Sequence, residues 1–131
     1  KIKSYCANYE EKIDKEGGID LMVLGIGQNG HIGFNEPGVD FNTKTRLVEL
    51  KPKTLEVNFE KPDRSPDKAI TMGITTIMRS RKILLLAAGK RKKEAIKKSL
   101  SGPITREYPA SVLQLHPEVT VLLDESAGKE I

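Results

Sequence analysis

Short apolar runs alternate with amphipathic stretches along the chain, and their spacing sets the expected order of elements. Residues 1–15 read as a helix already running at Lys1 and stopped by Gly17-Gly18. Residues 19–25 (IDLMVLG) form a near-continuous apolar run closed by Gly25, the pattern of a strand covered on both faces in a parallel sheet. Residues 45–50 (TRLVEL) alternate as a strand does, and Pro52 closes them. Between 66 and 78, apolar residues recur at Ala69, Ile70, Ile74, Ile77 and Met78, predicting a helix capped by Ser65 with Pro66 in its first turn. Residues 82–88 (KILLLAA) predict a second buried strand, 89–101 a basic helix ended by Gly102-Pro103, 109–116 a short helix and 119–123 (VTVLL) a third core strand. This alternation argues an α/β fold with a parallel sheet flanked by helices, in which ligands sit beyond the carboxyl ends of the strands.

Composition narrows the class. With 131 residues, 22 Lys plus Arg and 18 Asp plus Glu, the chain has the size of one domain, 1–131, and ordinary soluble composition. The lone Cys6 excludes an internal disulfide framework and a Cys-rich zinc site, and implies a reducing, cytoplasmic setting. The longest apolar run, 83–88, is too short to cross a bilayer, so no membrane partner is expected. Lys1 stands where a start Met would be, ahead of a helix without a start signal, so the chain is read as a fragment. Ten basic residues against Glu94 alone fall between 79 and 106, leaving the rest of the chain at −5. Such a strip suits an anionic partner, or it is a solvated helix face.

The turn after the first strand, Gly25-Ile26-Gly27-Gln28-Asn29-Gly30, spells the G-x-G-x-x-G pattern of dinucleotide sites. That motif needs a helix entered at its third glycine, and Gly33, Pro37 and Gly38 argue against one. No nicotinamide or flavin cofactor is therefore expected. What the turn offers is chemistry: residues 28–37 (QNGHIGFNEP) carry carboxamides, an imidazole and a carboxylate at the mouth of a buried strand. His31 can exchange protons near neutral pH, and Glu36 can hold its ring. The bland alternative is a turn-capping His beside a solvated Glu.

At the second strand end, Gly89 opens a helix whose amino-terminal N–H groups suit a phosphate. Lys92 shares a helix face with Ile96 and Leu100, which marks it as the inward-facing ammonium; otherwise it is a snorkelling lysine. His116, beside Pro117 in an apolar stretch, reads as structural.

The strand IDLMVLGIG followed by NGHIGFNEP resembles the glucosamine-6-phosphate deaminase family and its galactosamine-6-phosphate deaminase/isomerase relatives. The likeness continues through 69–73, 89–92 and 113–117 (LQLHP), and so spans essentially the whole chain. The resemblance implies a Rossmann-like sheet with its amino-terminal part missing. It also implies isomerisation and deamination of a 2-amino-2-deoxyhexose 6-phosphate to a ketohexose 6-phosphate and ammonia. His31 would open the sugar ring, with Glu36 and Asn29 tuning it, and Lys92 would hold the 6-phosphate, with Gly30 and Gly89 lending backbone. No cofactor or metal is implied, because the substrate's own carbonyl activates the carbon acid. The implied partner is a small sugar phosphate and not a nucleic acid or a membrane; oligomeric state, including a homo-oligomer, is open.

Several positions depart from the family pattern. Many members have Asp where Asn29 stands, and an amide orients an imidazole without stabilising its charged form as a carboxylate would. The family's phosphate-binding Arg should fall near 58–64, where Lys61 or Arg64 is the substitute. Arg46 matches the family's allosteric set but Val39, Asp40 and Val48 do not, so no activation by an amino-sugar phosphate is expected. The family's proton-abstracting Asp and a second phosphate loop belong to an amino-terminal half that this chain lacks, which predicts weak activity for these residues alone. Two rivals remain: a sugar-phosphate lactonase, whose family shares the Gly-His turn without Phe34 to Pro37, and a basic nucleic-acid-binding module, for which three Phe and three Tyr leave little stacking surface.

Overall fold

The computed structural model of the protein describes residues 1–50 and 66–131. Helix α1 (Ile2–Lys15) buries Cys6 and ends where Gly17 and Gly18 turn the chain at φ +91° and +93°. Strand β1 (Leu21–Leu24) follows directly. Strands β4 (Lys82–Ala87) and β5 (Val119–Leu123) join it in a three-stranded parallel sheet of order β1-β4-β5. The parallel α/β expectation therefore holds.

Alternation along β1 sends Met22 and Leu24 inward to 5% and 7% exposure and leaves Leu21 and Val23 at 53% and 55%. The inward face, with Ile83 and Leu85, shares one core cluster with residues of the helices that cover it. These are Ile74 and Ile77 of α2 (Ile74–Met78), Ala95 and Ile96 of α3 (Lys93–Ser101), and Val112 and Leu113 of a 3-10 segment (Pro109–Leu115). A short α4 (Glu125–Gly128), capped by the Asp124 carboxylate, ends the described chain. The apolar run 19–25 had implied cover on both faces; the described residues cover one, and the strand's outward residues stay exposed.

The expected helix over 66–78 is corrected. Residues 68–71 instead form β3 (Lys68–Thr71), antiparallel to β2 (Arg46–Glu49), with Arg46 opposite Thr71 and Leu47 opposite Ile70. The apolar residues at 69 and 70 fit either period, and pairing with β2 decided for the strand. Gly73 then separates strand from helix: a Cβ there would lie 2.2 Å from the Thr43 carbonyl oxygen. Ser65, its expected cap, lies outside the described residues. The basic helix also begins later than expected, with Lys90–Lys92 forming a 3-10 turn ahead of α3, and the short helix at 109–116 is likewise 3-10.

The β2–β3 ribbon is fastened to α1 through one carboxylate. Glu10 Oε1 accepts from Thr45 N and Oγ1 at 2.9 and 2.8 Å, and from Thr76 Oγ1. Burial pushes its pKa up, but the hydroxyl and amide donors of Thr76 and Thr45 outweigh that and hold it below the ordinary glutamate value.

Candidate active site

The carboxyl end of β1 runs through Gly25 and Ile26 into a turn in which Gly27 and Gly30 each make room for a ring. A Cβ on Gly27 would lie 2.1–2.6 Å from atoms of the His31 ring, so the imidazole lies against the bare backbone there. Gly30, at φ +84°, leaves its empty side to Tyr108, whose Cδ1 would lie 2.7 Å from an added Cβ. No helix follows the third glycine; the chain at 31–45 is held by turns and an isolated bridge between Ile32 and Asn35. The G-x-G-x-x-G spacing here makes room for an imidazole and a tyrosine.

Asn29 links the chemical groups of this turn. Its Nδ2 donates to Glu36 Oε2 at 2.8 Å, while its Oδ1 accepts from the His31 backbone N–H at 3.2 Å and faces His31 Nδ1 at 2.7 Å. Turning the amide over would set its oxygen against the carboxylate, so the arrangement has one sense. Because Oδ1 only accepts, the proton of the neutral imidazole sits on Nδ1, and Nε2 presents a lone pair. Glu36 Oε2 also lies 3.6 Å from Nδ1. The two side chains are 15% and 11% exposed, so the relay is nearly withdrawn from solvent.

Burial pushes the His31 pKa below its ordinary value; Glu36 pulls it back up and Lys92 pushes it down, and the net is a fall. The ring is therefore neutral at pH 7, ready to accept a proton at Nε2. Lys92 Nζ donates to the Ile26 carbonyl at 2.6 Å, one residue before the glycine against which His31 lies. Burial lowers the Lys92 pKa, and the ammonium keeps two further N–H groups for an anion. Imidazole and ammonium, sixty-one positions apart, thus meet at one sheet rim.

Gly89, at φ +91°, lies at that rim as expected, but its N–H is engaged: it donates to both Asp124 carboxylate oxygens at 3.0–3.1 Å. The expectation of unpaired N–H groups is corrected for that amide, because no local spacing marks the residue after β5 as a partner for the end of β4. Lys61 and Arg64 lie outside the described residues.

Six of the ten basic residues in the strip meet acids. Arg79 meets Asp14 and Arg81 meets Asp20, both at 2.9 Å; Lys82 meets Glu118, Lys98 meets Glu94, and Lys93 and Lys97 share Glu130. Acids of the −5 remainder thus fold back onto it. His116 is structural: its Nδ1 accepts from Glu118 N at 3.0 Å, so Nε2–H donates to the Ser80 carbonyl at 2.6 Å.

Two residues that hold the turn were not singled out. Asn35 is fully buried, and Arg106 donates from Nε to the Val39 carbonyl at 2.8 Å and from Nη2 to that of Gly38. Asn35 stands inside the quoted motif; nothing local marks Arg106.

Parallel strands with covering helices, and a glycine-rich turn that carries His31 and Glu36 at the carboxyl end of the first, define an α/β domain of Rossmann type. The chain belongs to the glucosamine-6-phosphate isomerase/6-phosphogluconolactonase family, whose model matches residues 1–122. Glucosamine-6-phosphate deaminase of Clostridium acetobutylicum is 53% identical over 131 residues, covering 98% of this chain and 54% of that protein. The Halothermothrix orenii protein of that name is 50% identical over 130 residues, 97% of this chain and 54% of its own. The chain thus spans about half the length of the curated relatives it matches. A solved monomeric glucosamine-6-phosphate deaminase superposes with a TM-score of 0.94 at 48% identity, over 98% of this chain and 55% of that one. The 6-phosphogluconolactonase from Trypanosoma brucei, at TM-score 0.74 and 20% identity over 99% of this chain and 54% of its own, shares the fold.

Proposed function

We propose that this chain carries the ring-opening and phosphate-anchoring half of an amino-sugar-phosphate deaminase/isomerase. The observation that carries the reading is the Glu36–Asn29–His31 relay, which leaves Nε2 unprotonated, with the Lys92 ammonium anchored on the Ile26 carbonyl at the same strand end. His31 Nε2 takes the proton of the anomeric hydroxyl as the bond between C1 and the ring oxygen breaks. The imidazolium returns that proton to the ring oxygen, so the open aldehyde forms with no net proton change. Glu36, 3.6 Å from Nδ1, stabilises the transient imidazolium, and Asn29 fixes the ring plane. Lys92 holds the 6-phosphate, and the Gly30 and Gly89 backbones shape the rim around it. The C2 proton then moves to C1, and water replaces the amino group as ammonia. The base for that proton is the Asp that the family resemblance places outside these residues.

Domain extent 1–131 and a cytoplasmic setting belong to the same reading; the single buried thiol of Cys6 accords with the latter. Among the described residues no helix is long and apolar enough to cross a membrane.

The test is release of ammonia and ketohexose 6-phosphate from glucosamine 6-phosphate and its galacto epimer, using the protein at its natural length. His31→Gln should cost roughly 10²–10⁴ in kcat with little change in KM. Lys92→Met should raise KM about tenfold or more, as expected for a charge-assisted bond to phosphate. Hydrolysis of 6-phosphogluconolactone without ammonia release would replace this assignment with the lactonase.

A further inference from the structure

The turn that carries Glu36 is fastened from outside the main sheet. Asn35, the residue before Glu36, is fully buried, and each polar atom of its side chain is used. Its Nδ2 donates to the Ile32 and Met72 carbonyls at 2.8 and 2.9 Å, and its Oδ1 accepts from Arg46 Nη1 at 2.9 Å. One residue earlier, Phe34 N donates to Thr71 Oγ1 at 3.0 Å. Arg46 and Thr71 face each other in the β2–β3 register, so the ribbon presents both anchors side by side. Between them Gly33 turns at φ +57°, where a Cβ would lie 2.8 Å from Thr71 Oγ1. The ribbon and the turn are thus fitted together without room for slippage.

We propose that Arg46 is a positioning residue of the ring-opening site: its guanidinium, by holding the buried Asn35 carboxamide, fixes the backbone that places the Glu36 carboxylate on Asn29 beside His31. The inference rests on the reading of Glu36, Asn29 and His31 as the ring-opening relay. Arg46 acts through Asn35 and is not among the groups whose charge moves His31; those are Glu36 and Lys92. Without the guanidinium, a buried carbonyl oxygen has no donor, and the turn relaxes to find one. Glu36 then leaves its 2.8 Å contact with Asn29.

The sign of one measurement separates this from a simple loss of charge. Removing a cation that acted directly on His31 would raise the ring's pKa. Displacing Glu36 withdraws the carboxylate that supports the imidazolium, and lowers it. The experiment is an NMR titration of the His31 ε1 proton in the protein at its natural length, for wild type, Arg46→Met, Arg46→Lys and Glu36→Gln. His116, the other histidine of these 131 residues, is held between Ser80 and Glu118, outside the relay, and serves as a reference signal.

Arg46→Met should move the His31 titration to lower pH, in the direction of Glu36→Gln, leave His116 unmoved, and lower kcat by about ten- to a hundredfold with KM little changed. Arg46→Lys, which keeps one donor and folds most like wild type, should recover part of both. An unmoved or raised His31 titration in both Arg46 variants overturns the proposal, even if melting temperature or activity falls. If the wild type releases no ammonia, the reaction assignment fails, while the titration still decides for or against Arg46.

Discussion

Asn29 Oδ1 lies 2.7 Å from His31 Nδ1, so an uncharged carboxamide, and not a carboxylate, is the immediate partner of the imidazole. The charge that supports the protonated ring comes from Glu36, which sits 3.6 Å from Nδ1 and donates nothing to it. The ring is thereby oriented firmly but stabilised weakly, in keeping with its lowered pKa.

Substituting Asn29→Asp tests this division of labour. A carboxylate in contact with Nδ1 favours the imidazolium, so the His31 pKa should rise toward or above its ordinary value. Ring opening begins with the neutral ring. The acid limb of the kcat/KM profile should therefore move to higher pH in the variant, with the loss of rate greatest on the acid side. A profile of kcat/KM against pH, taken with the ε1-proton titration, checks both parts.

Two glycines separate activity from stability. At Gly27 a Cβ would meet the His31 ring, which can swing aside, so Gly27→Ala should keep most of the melting temperature while lowering kcat. At Gly73 the obstacle is backbone, the Thr43 carbonyl at 2.2 Å, so Gly73→Ala should destabilise by about 1–3 kcal/mol through forced displacement. Thermal melts and initial rates on the two variants should show opposite rankings.

The parallel strands were legible because burial imposes continuous apolar runs, and Leu85 and Ile83, 0% and 1% exposed, sit where the pattern put them. The placement of His31, Glu36 and Lys92 at one rim was legible because their types stand at strand ends, where the parallel sheet brings side chains together. The strand Lys68–Thr71 was not, since Ala69 and Ile70 suit a helix face equally well and its partner lies about twenty residues away in sequence. Arg46 and Asp124 were illegible for a related reason: each acts across the fold, on Asn35 and Gly89, and no local spacing announces a contact of that range.

Glu10 gives a pH dependence of stability whose sign follows from its donors. Its folded pKa lies below the ordinary glutamate value, so its contribution is fully present above that value and is lost as pH falls through the folded pKa. Glu10→Gln should therefore lower the melting temperature at pH 7, and the gap to wild type should narrow as the solution is acidified below the glutamate range. A gap that stays constant from neutral to acid would mean that packing, and not the ionised carboxylate, ties α1 to Thr45 and Thr76.

The outward face of the parallel sheet makes the last prediction. Leu21, Val23, Leu86 and Leu122 are 53%, 55%, 39% and 62% exposed, and the register sets Leu86 directly opposite Leu122. A contiguous aliphatic surface of this kind is costly in water, and on a soluble chain it is ordinarily covered by something. The 131 residues on their own should bind a hydrophobic dye and gain mass with concentration in sedimentation equilibrium. Val23→Lys together with Leu122→Lys should suppress both, with little loss of the inward core, because neither side chain is buried in it. Monomeric behaviour of the unsubstituted residues at every concentration, with no dye bound, would show that the sheet tolerates water on that side.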